Sequence, residues 1–420
     1  MSNHRPQVVV LGGGFGGLEA AFLLRMRLGD RAGITLISDQ PTFLFKPNTI
    51  YVPFGLDPKE LLIDLRSATH HAEVELDVET VENIDAHAGT VATPHRLLPY
   101  DYLVVATGAA MRPAEVAGLA EHANTIWTPQ EMLRLRRSFQ RLVEDAAEGS
   151  RRRVLFLVPP GNKCSGPLYE LVLMLDTWLR RHRVREAVDI AWTTYEAGYI
   201  QAFGPRLDDL VTGEFERRGI AGHRARAVES VERGCVRYAD GATQPFDLLV
   251  SFPPYVAARA YLGLPSDDRG FIATDLASRR VLGHGDVYAV GDAADFPVKQ
   301  AFLALLQADA AAEHIAAQIL GTTAPAPFDP TSMCVMEQLD KATFAQVPLR
   351  LTGDSGRPVE VRPDSLPLYR VGSSPAWRLG KKLLGAYLPW RFGSGKPFHA
   401  GLPWRGMELG LRVMSRLMAA

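Results

Sequence analysis

Apolar runs that end in small-residue turns recur along this chain. Residues 8–11 are continuously apolar and lead through Gly12-Gly13-Gly14-Phe15-Gly16-Gly17 into residues 18–27, whose pattern predicts a helix. Residues 33–38 form a second apolar run, ending at Asp39. Residues 102–105 run into Ala106-Thr107-Gly108, and residues 287–290 run into Gly291-Asp292, with a helix predicted over 301–320. Between these pairs, residues 154–158 predict a strand and residues 168–180 a helix. This order of strand, turn and helix predicts an α/β protein. At the C-terminal end the period changes. Residues 376–388 and 403–419 predict amphipathic helices, the first with Trp377, Leu384, Tyr387 and Leu388 on one side. The second repeats Trp404, Met407, Leu411, Met414 and Met418 at spacings of three and four.

Composition narrows the function classes. The 420 residues suffice for two or three domains, and a net charge of −1 with 47% hydrophobic residues gives no general attraction to nucleic acid. No apolar run reaches the ~18 residues that span a bilayer. Residues 1–7 pass directly into the first strand without a signal-peptide pattern, so a cytosolic start is expected. Charge is uneven: residues 376–420 hold eight Lys/Arg against the single acid Glu408, together with Trp377, Trp390 and Trp404. The three cysteines, Cys164, Cys235 and Cys334, are too few for a secreted disulfide scaffold. No metal site is expected.

The first turn carries chemistry. In a Gly-x-Gly-x-x-Gly turn between strand and helix, Gly12 permits the tight turn, Gly14 lets a pyrophosphate approach the backbone, and Gly17 allows close helix–strand packing. The helix N-terminus offers N–H groups to the phosphates, and Asp39 is placed to bind ribose hydroxyls. With the turn at Thr107-Gly108 and the Gly291-Asp292 motif, the sequence resembles the two-dinucleotide-binding-domain flavoproteins, and the resemblance implies FAD. Its site residues would be Gly12, Gly14, Phe15, Gly17, Asp39, Lys46, Thr107, Gly108, Gly291, Asp292 and Lys299, with Asp292 on the ribityl chain. The implied fold class is α/β, with two Rossmann-like domains of glutathione-reductase-like type and a C-terminal amphipathic region. Residues 1–115 and 265–325 would form a discontinuous FAD domain, 116–264 an inserted domain, and 326–420 the C-terminal region. The Pro-rich stretch 324–330 reads as the linker.

In relatives that use NAD(P)H, the inserted domain has its own glycine fingerprint. Here the turn reads Pro159-Pro160-Gly161-Asn162-Lys163-Cys164-Ser165-Gly166-Pro167, in which two prolines remove backbone donors and a cysteine precedes the helix. A thiol there is expected to be drawn toward thiolate by the helix dipole and by Lys163. The turn taken alone equally suits a small residue filling a strand–helix junction. With Cys334 in Ser332-Met333-Cys334-Val335, the sequence resembles sulfide:quinone oxidoreductases and flavocytochrome c sulfide dehydrogenase flavoproteins. That resemblance implies a redox disulfide between Cys164 and Cys334 and a lysine, Lys299, beside the flavin, while Glu170 and Glu337 are alternative candidates for handling protons. Three departures stand out: no third cysteine at 125–129, no histidine at 195–204, and no cysteine at 44–50 for a covalent flavin link. FAD is therefore expected to be non-covalent, and Cys235 structural. The expected reaction is oxidation of sulfide, or another small sulfur nucleophile, with electrons passed to a quinone. A type II NADH:quinone oxidoreductase and a non-catalytic membrane-associated flavoprotein sensor are the alternatives.

A basic amphipathic helix with tryptophan suits the membrane interface, while a core-packing helix pair or a contact between copies of the chain, a homo-oligomer, fits the same pattern. A quinone substrate favours the membrane. A peripheral position on the cytoplasmic side of the cell membrane follows, with Phe344, Tyr387 and Trp390 as candidate quinone neighbours.

Overall fold

The computed structural model describes residues 5–323 and 326–419. Positions 324 and 325, where the Pro-rich linker was expected to begin, lie outside the described residues. A five-stranded parallel sheet orders Val287–Ala289, Tyr102–Val105, Gln7–Leu11, Gly33–Ser38 and Glu75–Val78. Its central strand is apolar at successive positions because both faces are covered: Val8, Val9, Val10 and Leu11 are all buried. Helix α1, Phe15–Leu28, covers one face. Its entry turn depends on glycine. A Cβ on Gly17 would lie 1.8 Å from Gly12 O, and Gly12 itself adopts φ +105° with Ala106 O in the way of any side chain.

A second parallel sheet orders Asn124–Thr125, Leu248–Ser251, Arg152–Val158, Val188–Thr194 and Ile220–His223. Helix α2, Gly166–Arg181, follows its central strand and is buried along most of its length. Helix α3, Ala301–Leu320, returns to the first sheet and packs lengthwise on α1, its alanines at 304, 308, 311 and 312 allowing the two backbones to come close.

The C-terminal region begins with an antiparallel hairpin, Thr331–Glu337 and Ala342–Leu351, that places Cys334 opposite Ala345. The hairpin is tied to the second sheet by buried charges. Asp176 on α2 accepts from Arg180 (3.0 Å), Arg185 (2.6 Å) and Arg218 (2.9 Å), while Arg218 reaches Asp340 (3.1 Å) and Lys341 pairs with Glu214 (2.6 Å). Because unpaired buried charge is costly, this network holds the hairpin turn in one place against α2.

Two helices close the chain, α4, Pro375–Gly393, and α5, Gly401–Met418. Their orientation corrects the sequence reading. The stripe of Trp404, Leu411, Met414 and Met418 turns inward, the last three onto a cluster of Ala342, Phe344 and Trp377. The outward apolar residues are Leu402, Leu409, Val413 and Leu417 on α5 and Leu379, Leu383 and Trp390 on α4. Leu402 and Leu417 are 80% and 79% exposed. Both faces of α5 carry apolar side chains, so periodicity alone could not say which one packs. Among the described residues, no helix is long and apolar enough to cross a membrane.

Candidate active site

One large cavity, about 880 Å³, lies where the two sheets, the hairpin and α4 meet. Its dinucleotide end is built by the turns read in the sequence: Gly12, Gly14, Phe15, Asp39, Thr107, Gly108, Gly291 and Asp292 all line it. Gly17, by contrast, lies behind the turn, where it sets the packing of α1. Gly14 is the N-cap of α1 and supplies no side chain to its free N–H groups. A Cβ on Gly14 or Gly108 would meet nothing within 4 Å, so open space faces the helix N-terminus. Uncapped donors beside open space, with a carboxylate at the end of the neighbouring strand, fit the pyrophosphate and ribose of FAD.

The middle of the cavity holds a buried charge cluster. Lys46 lies over the Trp127 ring at 3.2 Å, and Lys299 lies over Phe271 at 3.7 Å while donating to Ala294 O. Burial pushes Lys46 down to about 8 and Lys299 down to about 7, opposed in both by Asp292. Burial also raises Asp292, against the pull of Lys299 and Lys46. These groups are desolvated and mutually dependent, ready to answer a change of charge in the cavity.

Cys164 and Cys334 converge on the same cavity, as free thiols. The Cys164 N–H donates to Asn162 Oδ1 at 3.0 Å, and Asn162 Nδ2 donates to Phe252 O at 2.8 Å, so a buried amide fixes the turn. Cys334 is held from the other side. Gln300 Nε2 donates to Met333 O at 3.2 Å, and Ser332 Oγ donates to Gln300 Oε1 at 2.7 Å. The expected drift toward thiolate is not what the surroundings favour. Burial raises both thiols, Cys334 to about 12 and Cys164 further, and in Cys164 the nearness of Cys334 adds to the effect. Lys163 does not help, because its ammonium faces Asp267, Asp268 and Arg269. Cys235, on the strand Cys235–Tyr238, does not line the cavity.

The two candidate proton carriers separate. Glu337 is fully buried and outside the cavity lining, with donors on every side: Tyr51 Oη at 2.7 Å, Arg378 Nε at 2.8 Å, and the N–H groups of Gln338 and Leu339. Glu170 lines the cavity, accepts from the Glu337 N–H at 2.7 Å and pairs with Lys381. Burial raises its carboxyl, and Lys381 opposes the shift. Lys381 also donates to Val335 O at 2.8 Å, next to Cys334.

Several cavity residues escaped the sequence reading. Lys381 looked like one more basic residue of an amphipathic tail, and only its burial marks it. Trp127 fills the stretch that lacks a third cysteine. Glu196 lines the cavity in the stretch that lacks a histidine, its carboxyl raised by burial to about 7. The aromatic candidates need correction. Phe344 is buried in a stack with Trp377 (centroids 4.1 Å apart), and neither Tyr387 nor Trp390 lines the cavity. Phe302 and Phe398 form an aromatic wall of it, in a lining that also holds Leu384 and Leu388.

The chain is similar in sequence and in fold to known proteins. The pyridine nucleotide-disulphide oxidoreductase family matches residues 6–147. A sulfide-quinone reductase of Aquifex aeolicus is 33% identical over 246 residues, 57% of this chain and only 55% of that protein, so the match spans just over half of the relative's length. The mitochondrial sulfide:quinone oxidoreductase of Dictyostelium discoideum is 21% identical over 315 residues, 71% of this chain and 68% of the relative. In fold, the X-ray structure of the sulfide:quinone oxidoreductase from Aquifex aeolicus superposes with a TM-score of 0.83 at 24% identity, covering 97% of this chain and 96% of that one. Residues 6–147 thus match the pyridine nucleotide-disulphide oxidoreductase family, part of the chain is similar in sequence to sulfide:quinone oxidoreductases, and the fold as a whole is shared with one of them.

Proposed function

We propose that this protein oxidises sulfide, or a closely similar sulfur nucleophile, and passes the electrons to a membrane quinone through non-covalently held FAD. The observation that carries the reading is the convergence of Cys164 and Cys334 on the cavity built by the dinucleotide turn. In the working scheme Cys164 and Cys334 enter the cycle as a disulfide, with the two electrons of the thiols going on to the quinone through the oxidation that FAD, when bound, would supply, and the two protons going to solvent. Hydrosulfide attacks Cys164 Sγ, a new sulfur–sulfur bond forms there, the Cys164–Cys334 bond breaks, and Cys334 Sγ leaves with the electron pair. Burial keeps a free thiolate at Cys334 unfavourable, which drives the pair onward. Glu170, held by Lys381, takes or returns the proton beside the sulfurs. Lys299 and Lys46 provide positive charge where electrons accumulate. The chemistry supplied by FAD, when bound, is a two-electron relay between sulfur and quinone.

The domain division belongs to the same reading. Segments 1–115 and 265–325 hold the cofactor, 116–264 presents Cys164, and 326–420 presents Cys334 and the membrane face. The outward leucines of α4 and α5, with exposed Lys382, Lys396, Arg405, Arg412 and Arg416, suit an anionic bilayer surface. A peripheral position on the cytoplasmic side of the membrane is the corresponding localisation. Non-covalent binding is supported by the absence of a third cysteine from the cavity wall.

Anaerobic stopped-flow absorbance tests the proposal. Sulfide is expected to bleach the flavin within the dead time to seconds, and a quinone analogue to restore it. Bleaching by NADH alone would replace this reading with NADH:quinone oxidoreduction.

A further inference from the structure

Behind the aromatic wall of the cavity lies a buried group that the sulfur chemistry does not use. Glu19 of α1 is fully buried and accepts the N–H groups of Phe398 (2.6 Å) and His399 (3.1 Å). His399 Nδ1 is 2.5 Å from Asp309 Oδ2 on α3. Asp309 is also within hydrogen-bonding reach of Glu19, and one oxygen or nitrogen of each of the three residues lies within 4.8 Å of the others. Two carboxyl groups make a favourable contact only when a proton lies between them. Asp309 Oδ1 and His399 Nε2 are buried without a partner, which leaves the group able to take part in one more hydrogen bond at each end.

The position of the cluster gives that proton a use. The His399 ring packs against Phe302 (5.4 Å) and Phe398 (4.8 Å), both of which line the cavity, as do Leu384 and Leu388. On the other side, Glu313, one turn beyond Asp309, pairs with Arg27 at the surface. The charged and titratable groups facing the cluster are thus Glu313 and Arg27 toward Asp309, Tyr387 toward Glu19, and Glu408 of α5 toward His399. We propose that Glu19, Asp309 and His399 form a proton-holding chain that supplies, from the surface near Arg27 and Glu313, the part of the cavity lined by Phe302 and Phe398, which this proposal takes as the quinone end. Burial supports this by raising Glu19 to about 8 and Asp309 to about 7, so near neutrality Glu19 holds a proton and Asp309 is poised to gain or lose one.

The assignment rests on the quinone reading above. Converting a quinone to a quinol consumes two electrons and two protons. The electrons come from sulfide by way of the cofactor. The protons leave the carboxyl pair one at a time through cavity water, each replaced from solvent.

The experiment separates the two half-reactions. Protein reduced anaerobically with dithionite is mixed with a water-soluble quinone analogue between about pH 5.5 and 9, and reoxidation is followed in wild type, Glu19→Gln, Asp309→Asn and His399→Gln. The variants are expected to reoxidise ~10-fold more slowly or worse and to lose the wild-type pH dependence, with sulfide-driven bleaching unchanged. An infrared spectrum of the oxidised protein should show a buried protonated-carboxyl band that shifts in D2O and is lost in Glu19→Gln. Unchanged reoxidation with an unchanged pH profile, or no such band, overturns the chain while leaving the functional reading intact. One tightly held Zn²⁺ in wild type, lost in His399→Gln on equilibrium dialysis against the metal alone, overturns it in favour of a metal site. Wild-type protein that bleaches with sulfide but is not reoxidised by any quinone overturns the quinone reading and this assignment with it.

Discussion

At the residue scale, chemistry depends on which side chains are buried together. Replacing Cys164 or Cys334 by serine is expected to abolish sulfide-driven bleaching while the yellow cofactor stays bound, since neither thiol supports the dinucleotide turn. A sulfide titration of each variant followed by absorbance checks this, and full activity in either would remove the disulfide scheme. Lys381 is more than a local partner. Lys381→Met leaves Glu170 buried without its cation, an arrangement that typically costs about 3–5 kcal/mol. It should lower the denaturant midpoint and push the Glu170 carboxyl higher still. Rescue by Lys381→Met combined with Glu170→Gln would show that the charge, and not the side-chain volume, was at fault. The glycine turn was legible from sequence because its requirements are largely local: Gly17 is dictated by Gly12 O five positions away, and Gly12 by its own positive φ. Lys381 and Glu19 were not, because their partners lie hundreds of positions along the chain.

At the element scale, α5 shows what periodicity can and cannot reveal. The repeat at 404, 407, 411, 414 and 418 correctly predicted a helix with an apolar stripe, but the same helix carries Leu402, Leu409, Val413 and Leu417 on its other side. The hairpin chooses between the faces by offering Phe344 and Trp377 as a surface to pack on. The two faces should therefore fail differently. Replacing Leu402, Leu409 and Leu417 together with serine is expected to reduce co-sedimentation with anionic liposomes ~10-fold or more and to leave thermal stability and sulfide bleaching intact. Replacing Leu411 and Met414 with serine should lower the melting temperature and leave the remaining folded protein able to bind liposomes. Retained liposome binding in the outward triple variant would assign that face to a contact between copies of the chain, visible as a change of mass in solution.

At the scale of the whole molecule, stability should depend on pH through groups far from the sulfurs. Glu19 and Asp309 have carboxyls raised in the folded protein above their unfolded values. For such groups the native state binds more protons than the unfolded chain between the two values, so their contribution is fully present below the unfolded value and lost as pH rises through the folded one. The melting temperature is therefore expected to fall from about pH 5 to about pH 8.5, and the fall should be shallower in Asp309→Asn. Differential scanning calorimetry at constant ionic strength reads it directly, and an equal slope in variant and wild type would mean that other groups set the dependence. The α/β order was visible in the sequence because the strands around 8–11, 102–105, 154–158 and 287–290 each end in their own turn signal, whereas the remaining strands of the two sheets, such as 188–194 and 248–251, carry none that was read. The closing of the cavity was not, since it needs the hairpin and α4 to fold back over both sheets.

The hydrogen bonds from Phe398 and His399 to Glu19 join residues about 380 positions apart, and a Cβ on Gly395 would collide with Ala72 N at 2.6 Å, so the tail fits tightly there too. The helix that greets the pyrophosphate is made well before residues 398 and 399, yet the carboxyl at its core finds its donors only when those residues have been made. Loop closure over such a distance is slow compared with local folding. A nascent chain thus waits, with Glu19 unsatisfied, until residues 398 and 399 have been made, and a ribosome that stops short of residue 398 releases a protein whose cofactor pocket has never been shut.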